Sequence, residues 1–349
     1  MREDPFNLNP DLLYPVIDAT TVKRTRSFVK RHYENDLIRL PDGRRVPIQF
    51  PKPLASTITY DLDGVLPGFL SEIEQALMPP TGQPDLTLAR YQPETYPAGQ
   101  PPLGTDLAIV GLIRSGLLKR FESSVHAFAR TTGKMVREHD LFLRGLDQGI
   151  VIRKELMHEL SAASDEDEIE ELLAASEHTE PASQFNVPAL RADVERDRAM
   201  LDRLCQRAQS VRPQDDPKLA ALVEELVTIA QEAERDGLDD EDHRRKRKVL
   251  VFSFYEDTID WIEAFLLAEI ERDPRLAVYR GRTASVAGNE SRNGVTREQA
   301  VFGFAPESTG APPPARGEQV DKYDLLLCTD VLAEGMNLQQ CRNIINYDL

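Results

Sequence analysis

The stretch Lys248-Val-Leu-Val-Phe-Ser-Phe254, KVLVFSF, decides how this chain is read. It is a short continuous apolar run, the pattern of a strand buried on both faces of a parallel sheet. YEDTIDWIEAFLLAEI follows it and reads as an amphipathic helix, with Ile259, Ile262, Phe265 and Leu266 as its core stripe and Trp261 as a further core residue. The alternation then repeats. LAVYRG (276–281) is a second strand candidate, and residues 282–321 are loop-rich except for a short helix at TREQAVFGF. YDLLLCTD (323–330) is a third strand, VLAEGMN a turn and helix, and CRNIINYDL (341–349) a fourth strand. Buried strands alternating with helices imply a parallel α/β sheet, and such a fold is expected to continue past the strand at which the chain stops.

Upstream of residue 248 the texture is helical. Helical periodicity covers residues 145–176 and 187–236, interrupted at QFNVP and RPQDDP because proline lacks the backbone donor that a helix interior needs. In GLLKRFESSVHAFARTTGKM, Leu117, Leu118, Phe121, Val125 and Phe128 recur three and four apart. FLSEIEQAL places Phe69, Leu70, Ile73 and Leu77 on one helical face, and Pro79 to Gly104 reads as a Pro- and Gly-rich loop. Nearer the start, VKRTRSFVKRHY (22–33) is a basic helix, PDGRR (41–45) a turn, and VPIQFP and ASTITYDL are extended.

The 349 residues suffice for two domains or for one domain with a large insertion, and the net charge of −17 argues against a nonspecific nucleic-acid binder. The charge is uneven. Acid gathers in SDEDEIEE (164–171) and DDED (239–242), and base in KRTRSFVKR (23–31) and HRRKRK (243–248). HRRKRK is most simply a solvated linker entering the sheet, with Lys248 leading the strand. SDEDEIEELLAASEH is an acidic helix whose early carboxylates suit the positive end of its dipole. No apolar run is long enough to span a bilayer, and the N-terminus is not a secretory signal. Cys205, Cys328 and Cys341 are too few and scattered for a disulfide or metal framework, which points to a reducing, cytoplasmic setting. The six histidines lack the paired spacing of a zinc site.

The third strand ends at Cys328, so Thr329 and Asp330 stand at its carboxyl edge, where ligands bind in open α/β sheets. The Thr329 hydroxyl and the backbone N–H groups of the turn can meet a phosphate, Gly335 lets backbone approach a ligand, and Asn337 can bridge the two. The blander reading is that Thr329 and Asp330 cap a helix.

KVLVFSFYEDT and LLLCTDVLAEGMNLQQCRNIINYDL resemble motifs IV and V of superfamily 2 helicases and translocases, in the Snf2-like branch. DPKLAALVEEL (216–226) resembles the lead-in to the second RecA-like lobe of those proteins. LLKRFESSVHAF resembles a helix of bacterial members with a large helical insertion, and VKRTRSFVKRHY the end of the first lobe. The resemblance implies an α/β fold plus a helical region in three parts. Residues 1–65 would be the tail of a first RecA-like lobe, 66–236 a helical insertion, and 237–349 a second lobe truncated before motif VI.

It also implies roles. Ser253, Thr329 and Asn337, with Lys23, Arg24 and Arg26, would contact the nucleic-acid backbone, and Asp330, Glu334 and Gly335 would couple it to nucleotide. The complete enzyme would use ATP and Mg2+ and act on nucleic acid, as duplex DNA, with no membrane partner. No GxxxxGK[ST] phosphate loop or DEAH-like motif is present, and the arginine of motif VI would lie beyond Leu349. The chain is therefore expected to be inactive alone, a fragment that needs an ATPase lobe from the same or a neighbouring chain. The alternatives are a non-catalytic DNA- or protein-binding module working with a separate ATPase lobe, and an inactive remnant.

One motif points elsewhere. Asp61-Leu-Asp-Gly-Val65 has the letters of a haloacid-dehalogenase-type nucleophile loop. That loop must follow a buried central strand, whereas the preceding ASTITY alternates as an exposed or edge strand does.

Overall fold

The computed structural model of the protein describes residues 37–39, 43, 45–47, 52–79, 84–104, 107–153, 178–287, 294–313, 319–329 and 337–348. Contacts divide the chain into Met1–Ile58 and Thr59–Leu349. In the first unit, strands β1 (Leu37–Arg39) and β2 (Arg45–Pro47) pair antiparallel, with Ile38 opposite Val46. Of the turn expected at PDGRR, Gly43 takes the positive φ of 86° that other residues resist, and Arg45 begins β2; Pro41, Asp42 and Arg44 lie outside the described residues. The basic helix expected at 22–33 lies outside the described residues.

The second unit begins with helices. α1 (Phe69–Leu77) buries Phe69, Ile73, Ala76 and Leu77. Leu70, expected on that face, is instead 53% exposed, because the buried stripe runs through Phe69, Ile73, Ala76 and Leu77 and leaves Leu70 beside exposed Glu74. Residues 84–96 are more than a loop. Leu86, Leu88 and Ala89 are fully buried, and two 3-10 turns, Ala89–Tyr91 and Pro93–Thr95, fold the segment onto the helices.

The long helical stretch is two helices, α2 (Leu107–Ser123) and α3 (Val125–Asp147). Ser124 breaks it with extended dihedrals and caps α3 by accepting from the Ala127 N–H at 3.0 Å. Phe69, Phe121 and Phe128 pack edge to face, with ring centroids 5.5 to 6.0 Å apart.

The helix expected from residue 145 ends at Asp147, and Gly149 turns the chain at φ 78°. Strand β3 (Ile150–Ile152) then pairs antiparallel with β4 (Thr179–Pro181), since β-branched residues favour a strand once the helix has stopped. The acidic segment between them lies largely outside the described residues.

QFNVP and RPQDDP are helix starts. Asn186 caps α4 (Val187–Gln209) and Asp216 caps α5 (Pro217–Asp236), each with proline in the first turn. Asp197 of α4 is fully buried and holds the 84–96 segment. It accepts from the Thr87 N–H at 2.7 Å, the Thr87 hydroxyl at 2.9 Å and the Ala89 N–H at 3.0 Å. These bonds on either side of Leu88 hold it at φ 57°, a conformation costly for a residue with a Cβ.

HRRKRK belongs to a helix rather than to a linker. α6 (Asp240–Arg247) has acid in its first turn and base in its last, as the helix dipole favours. Asp239 caps it, and Glu241–Arg245 and Asp242–Lys246 pair one turn apart.

Strand β5 (Val249–Phe252) comes next, then α7 (Glu256–Arg272), β6 (Thr283–Val286), α8 (Arg297–Phe304), α9 (Pro306–Thr309), β7 (Leu325–Cys328) and β8 (Asn343–Asn346). The last four strands to be named, β5 to β8, form one wholly parallel sheet in the order β6-β7-β5-β8. Three of its strands are those expected from KVLVFSF, YDLLLCTD and CRNIINYDL. The fourth is not LAVYRG. Pro274–Tyr279 is a 3-10 helix, capped by Asp273 through the Arg275 N–H, and its buried Leu276 and Tyr279 stand three apart. Gly281, at φ 64°, turns the chain, and TASV supplies the strand.

Alternate residues face opposite layers. Val249, Val251, Leu325 and Leu327 pack with α5 and α7, while Leu250, Leu326 and Cys328 pack with α8. The protein is thus α/β, with a parallel sheet covered on both sides and a largely helical region before it. No helix among the described residues is long and apolar enough to cross a membrane.

The amino edge of the sheet is locked by charge. Lys248, just before β5, is fully buried and donates to Asp321 at 2.6 Å and to the Tyr323 carbonyl at 2.7 Å. Asp324, just before β7, receives Arg247 at 2.8 Å and Arg282 at 2.6 Å. These guanidinium groups hold the Asp324 carboxyl below its usual range although burial pushes the other way.

Candidate functional site at the carboxyl edge of the sheet

Phe252 of β5 lies opposite Cys328 of β7, so Ser253 and Thr329 leave the sheet side by side. The Ser253 N–H donates to the Cys328 carbonyl at 3.0 Å, and the Thr329 N–H to the Val286 carbonyl at 3.2 Å. The edge expected to take a ligand therefore brings these two together.

Their side chains differ. Thr329 is 5% exposed, and its hydroxyl is buried with no hydrogen-bond partner among the described residues. A buried hydroxyl without a partner is costly, so such a group marks a place where a partner belongs. Ser253 is 1% exposed and is already engaged, its hydroxyl donating to Asp348 at 2.9 Å. Asn337 is exposed, and its carbonyl accepts from the Ser308 hydroxyl at 2.6 Å. Beside it lies a polar cavity of about 420 Å³ lined by Arg245, Glu307, Ser308, Gln339 and Gln340. Asp330, Glu334 and Gly335, like Lys23, Arg24 and Arg26, lie outside the described residues.

Several residues here escaped sequence reasoning. Asp348, just past β8, is a hub: it accepts from the Ser253 hydroxyl, from the Phe254 N–H at 2.5 Å, and from the Ser123 hydroxyl at 2.9 Å. Thr258, in the first turn of α7, stands 2.6 Å from the Ser123 hydroxyl and 2.8 Å from that of Ser124. Lys218 of α5 donates to the carbonyls of Glu122 and Ser123 at 2.7 and 2.8 Å, satisfying the end of α2. Burial pulls the Lys218 ammonium down to about 8, and the Tyr347 ring lies 4.3 Å from it. The Tyr347 hydroxyl is itself buried, with no hydrogen-bond partner among the described residues, and burial raises it well above its ordinary value. The only signal in the sequence was the Ser123-Ser124 pair inside an apolar periodic run.

The rim is charged and aromatic. Arg120 and Arg130 both reach Asp257, at 2.9 and 3.1 Å, and the Arg120 guanidinium lies 4.1 Å from the Tyr255 ring centre. Phe254 is 65% exposed at the mouth of this edge.

DLDGV has another job. Asp61 accepts from the N–H groups of Asp63 and Gly64 at 3.0 and 3.3 Å, and Asp63 accepts from the Gly68 N–H at 2.7 Å. Both carboxylates build the turn that leads into α1. Residues 52–60 pair with no strand among the described residues, so the central strand that a nucleophile loop needs is missing before them. No protein-family model matches the chain, and no curated protein matches it in sequence.

Proposed function

We propose that this chain is the second RecA-like lobe, with its helical insertion, of a Snf2-like ATP-dependent helicase or translocase that acts on duplex DNA. In this reading the carboxyl edge of β5 and β7 meets the phosphate backbone, and a partner lobe supplies ATP hydrolysis. The observation that carries it is the buried Thr329 hydroxyl, unpartnered among the described residues, at the carboxyl end of a parallel strand, next to Ser253. Open parallel sheets bind ligands at that edge. A phosphate oxygen would accept from the Thr329 hydroxyl and so relieve the cost of its burial.

The chain has no GxxxxGK[ST] loop, and no group of three or more His, Cys, Asp or Glu able to hold a metal is found among the described residues. In this reading the partner lobe holds ATP and Mg2+. The test is fluorescence anisotropy with a labelled duplex. The chain should bind saturably, with affinity that falls steeply with salt as counterions are released. Thr329→Val, which keeps the shape and removes the hydroxyl, should weaken binding about tenfold, the loss of one charge-assisted hydrogen bond. Equal binding by wild type and Thr329→Val would remove the site.

A further inference from the structure

The helical region meets the carboxyl edge of the sheet at one corner, the break between α2 and α3. Ser123 and Ser124 are buried there against Thr258, Ser253 and Asp348. The corner lies over the ends of β5 and β8, where a ligand of a parallel sheet would sit.

The contact is polar. The apolar residues of α2 and α3 belong to clusters with α1 and α4, separate from the cluster that joins the sheet to α5 and α7. What crosses is a chain of hydroxyls, Lys218 on the last carbonyls of α2, the Arg120 and Arg130 pairs with Asp257, and the His126 ring stacked on Trp261 at 4.6 Å. Hydroxyl partners can be handed to water or to a phosphate oxygen one for one, so a contact of this kind can open without breaking an apolar core.

We propose that the Ser123–Ser124 corner is a releasable cover, an autoinhibitory contact that must lift from Asp348 and Thr258 before Ser253 can touch a nucleic-acid backbone. The proposal rests on reading that edge as a nucleic-acid site. When the corner lifts, Asp348 loses the Ser123 hydroxyl, its hold on the Phe254 N–H breaks with it, and the Ser253 hydroxyl becomes reachable from the rim.

Two measurements test it. Amide hydrogen exchange of the unmodified protein compares Phe254, whose N–H is held by Asp348, with Val251 in the doubly paired strand β5. Phe254 should exchange at least tenfold faster, through an opening that leaves Val251 protected. Exchange of both at one common rate would overturn the proposal.

The second measurement closes the corner covalently with Ser124→Cys and Thr258→Cys, whose native hydroxyls are 2.8 Å apart, oxidised with diamide. Buried Cys328 and Cys341, whose thiols are pushed up to about 12 and about 11, compete poorly in that oxidation. The oxidised protein should bind labelled duplex at least tenfold more weakly than the same protein reduced. Equal binding in both states overturns the cover while leaving the nucleic-acid site in place. No binding in either state overturns the nucleic-acid reading and the autoinhibitory role together.

Discussion

The two edges of one sheet are held by opposite chemistry. At the amino edge, Lys248, Arg247 and Arg282 converge on Asp321 and Asp324, and Lys248 and Asp324 are fully buried. At the carboxyl edge, a hydroxyl network around one partly exposed carboxylate, Asp348, is joined by Lys218 and by the solvent-reached pairs of Arg120 and Arg130 with Asp257, and the Thr329 hydroxyl has no partner among the described residues. A buried ion cluster is rigid because removing any partner strands a charge in low dielectric. A hydroxyl network gives up little when it trades partners with water. Charge pairing thus makes the amino edge rigid, and hydroxyl pairing leaves the carboxyl edge free to exchange partners.

The sharpest way to break this comparison is Asp324→Ala. It leaves Arg247 and Arg282 without their main counter-charge, while fully buried Lys248 keeps Asp321. Urea unfolding should show a loss of about 3–5 kcal/mol. A loss no larger than that of a carboxyl-edge variant would erase the asymmetry.

His139, in the helical core away from both edges, provides a control with its own pH signature. Its ring accepts burial as the neutral form, donating from Nδ1 to the Met135 carbonyl at 2.6 Å, and burial holds it down at about 3. The unfolded chain takes up the proton near the ordinary 6.5, so folded stability is full above that value and is lost as pH falls towards 3. Between pH 6.5 and 4.5, wild type should lose about 2 kcal/mol more than His139→Leu, followed by urea midpoints. Asp197, pushed up to about 6 by burial, works in the opposite sense and is common to both proteins.

Ser123→Ala removes one donor to Asp348, which keeps Ser253 and the Phe254 N–H. It should cost only about 0.5–1.5 kcal/mol by thermal melting, well below Asp324→Ala. Smallest of all, Phe254→Ser exposes nothing new and should change stability by less than about 0.5 kcal/mol.

The sheet was readable where burial on both faces leaves an uninterrupted apolar signature, as in VLVF and LLLC. It was not readable in TASV. That strand lies at the sheet edge, its residues are small, and Ser285 is satisfied by Glu263 at 2.5 Å. LAVYRG misled because Leu276 and Tyr279 are buried in a 3-10 helix, where spacing three also places them on one face. At the site, Thr329 and Ser253 followed from their positions at strand ends. Asp348 and Ser123 did not, because they lie 225 residues apart and no local period links them. HRRKRK looked like solvated charge because single-sequence reading counts charges without their partners. Asp324, the partner of Arg247, lies 77 residues further along.

The central claim, that the carboxyl edge of this sheet takes a phosphate backbone through Thr329, is tested most directly by one titration. Labelled duplex DNA at about 50 mM salt is added to wild type, to Ser123→Ala and to Thr329→Val. Saturable binding by the first two, weakened about tenfold in Thr329→Val, is the predicted result. No binding by wild type and Ser123→Ala, or undiminished binding by Thr329→Val, would contradict it.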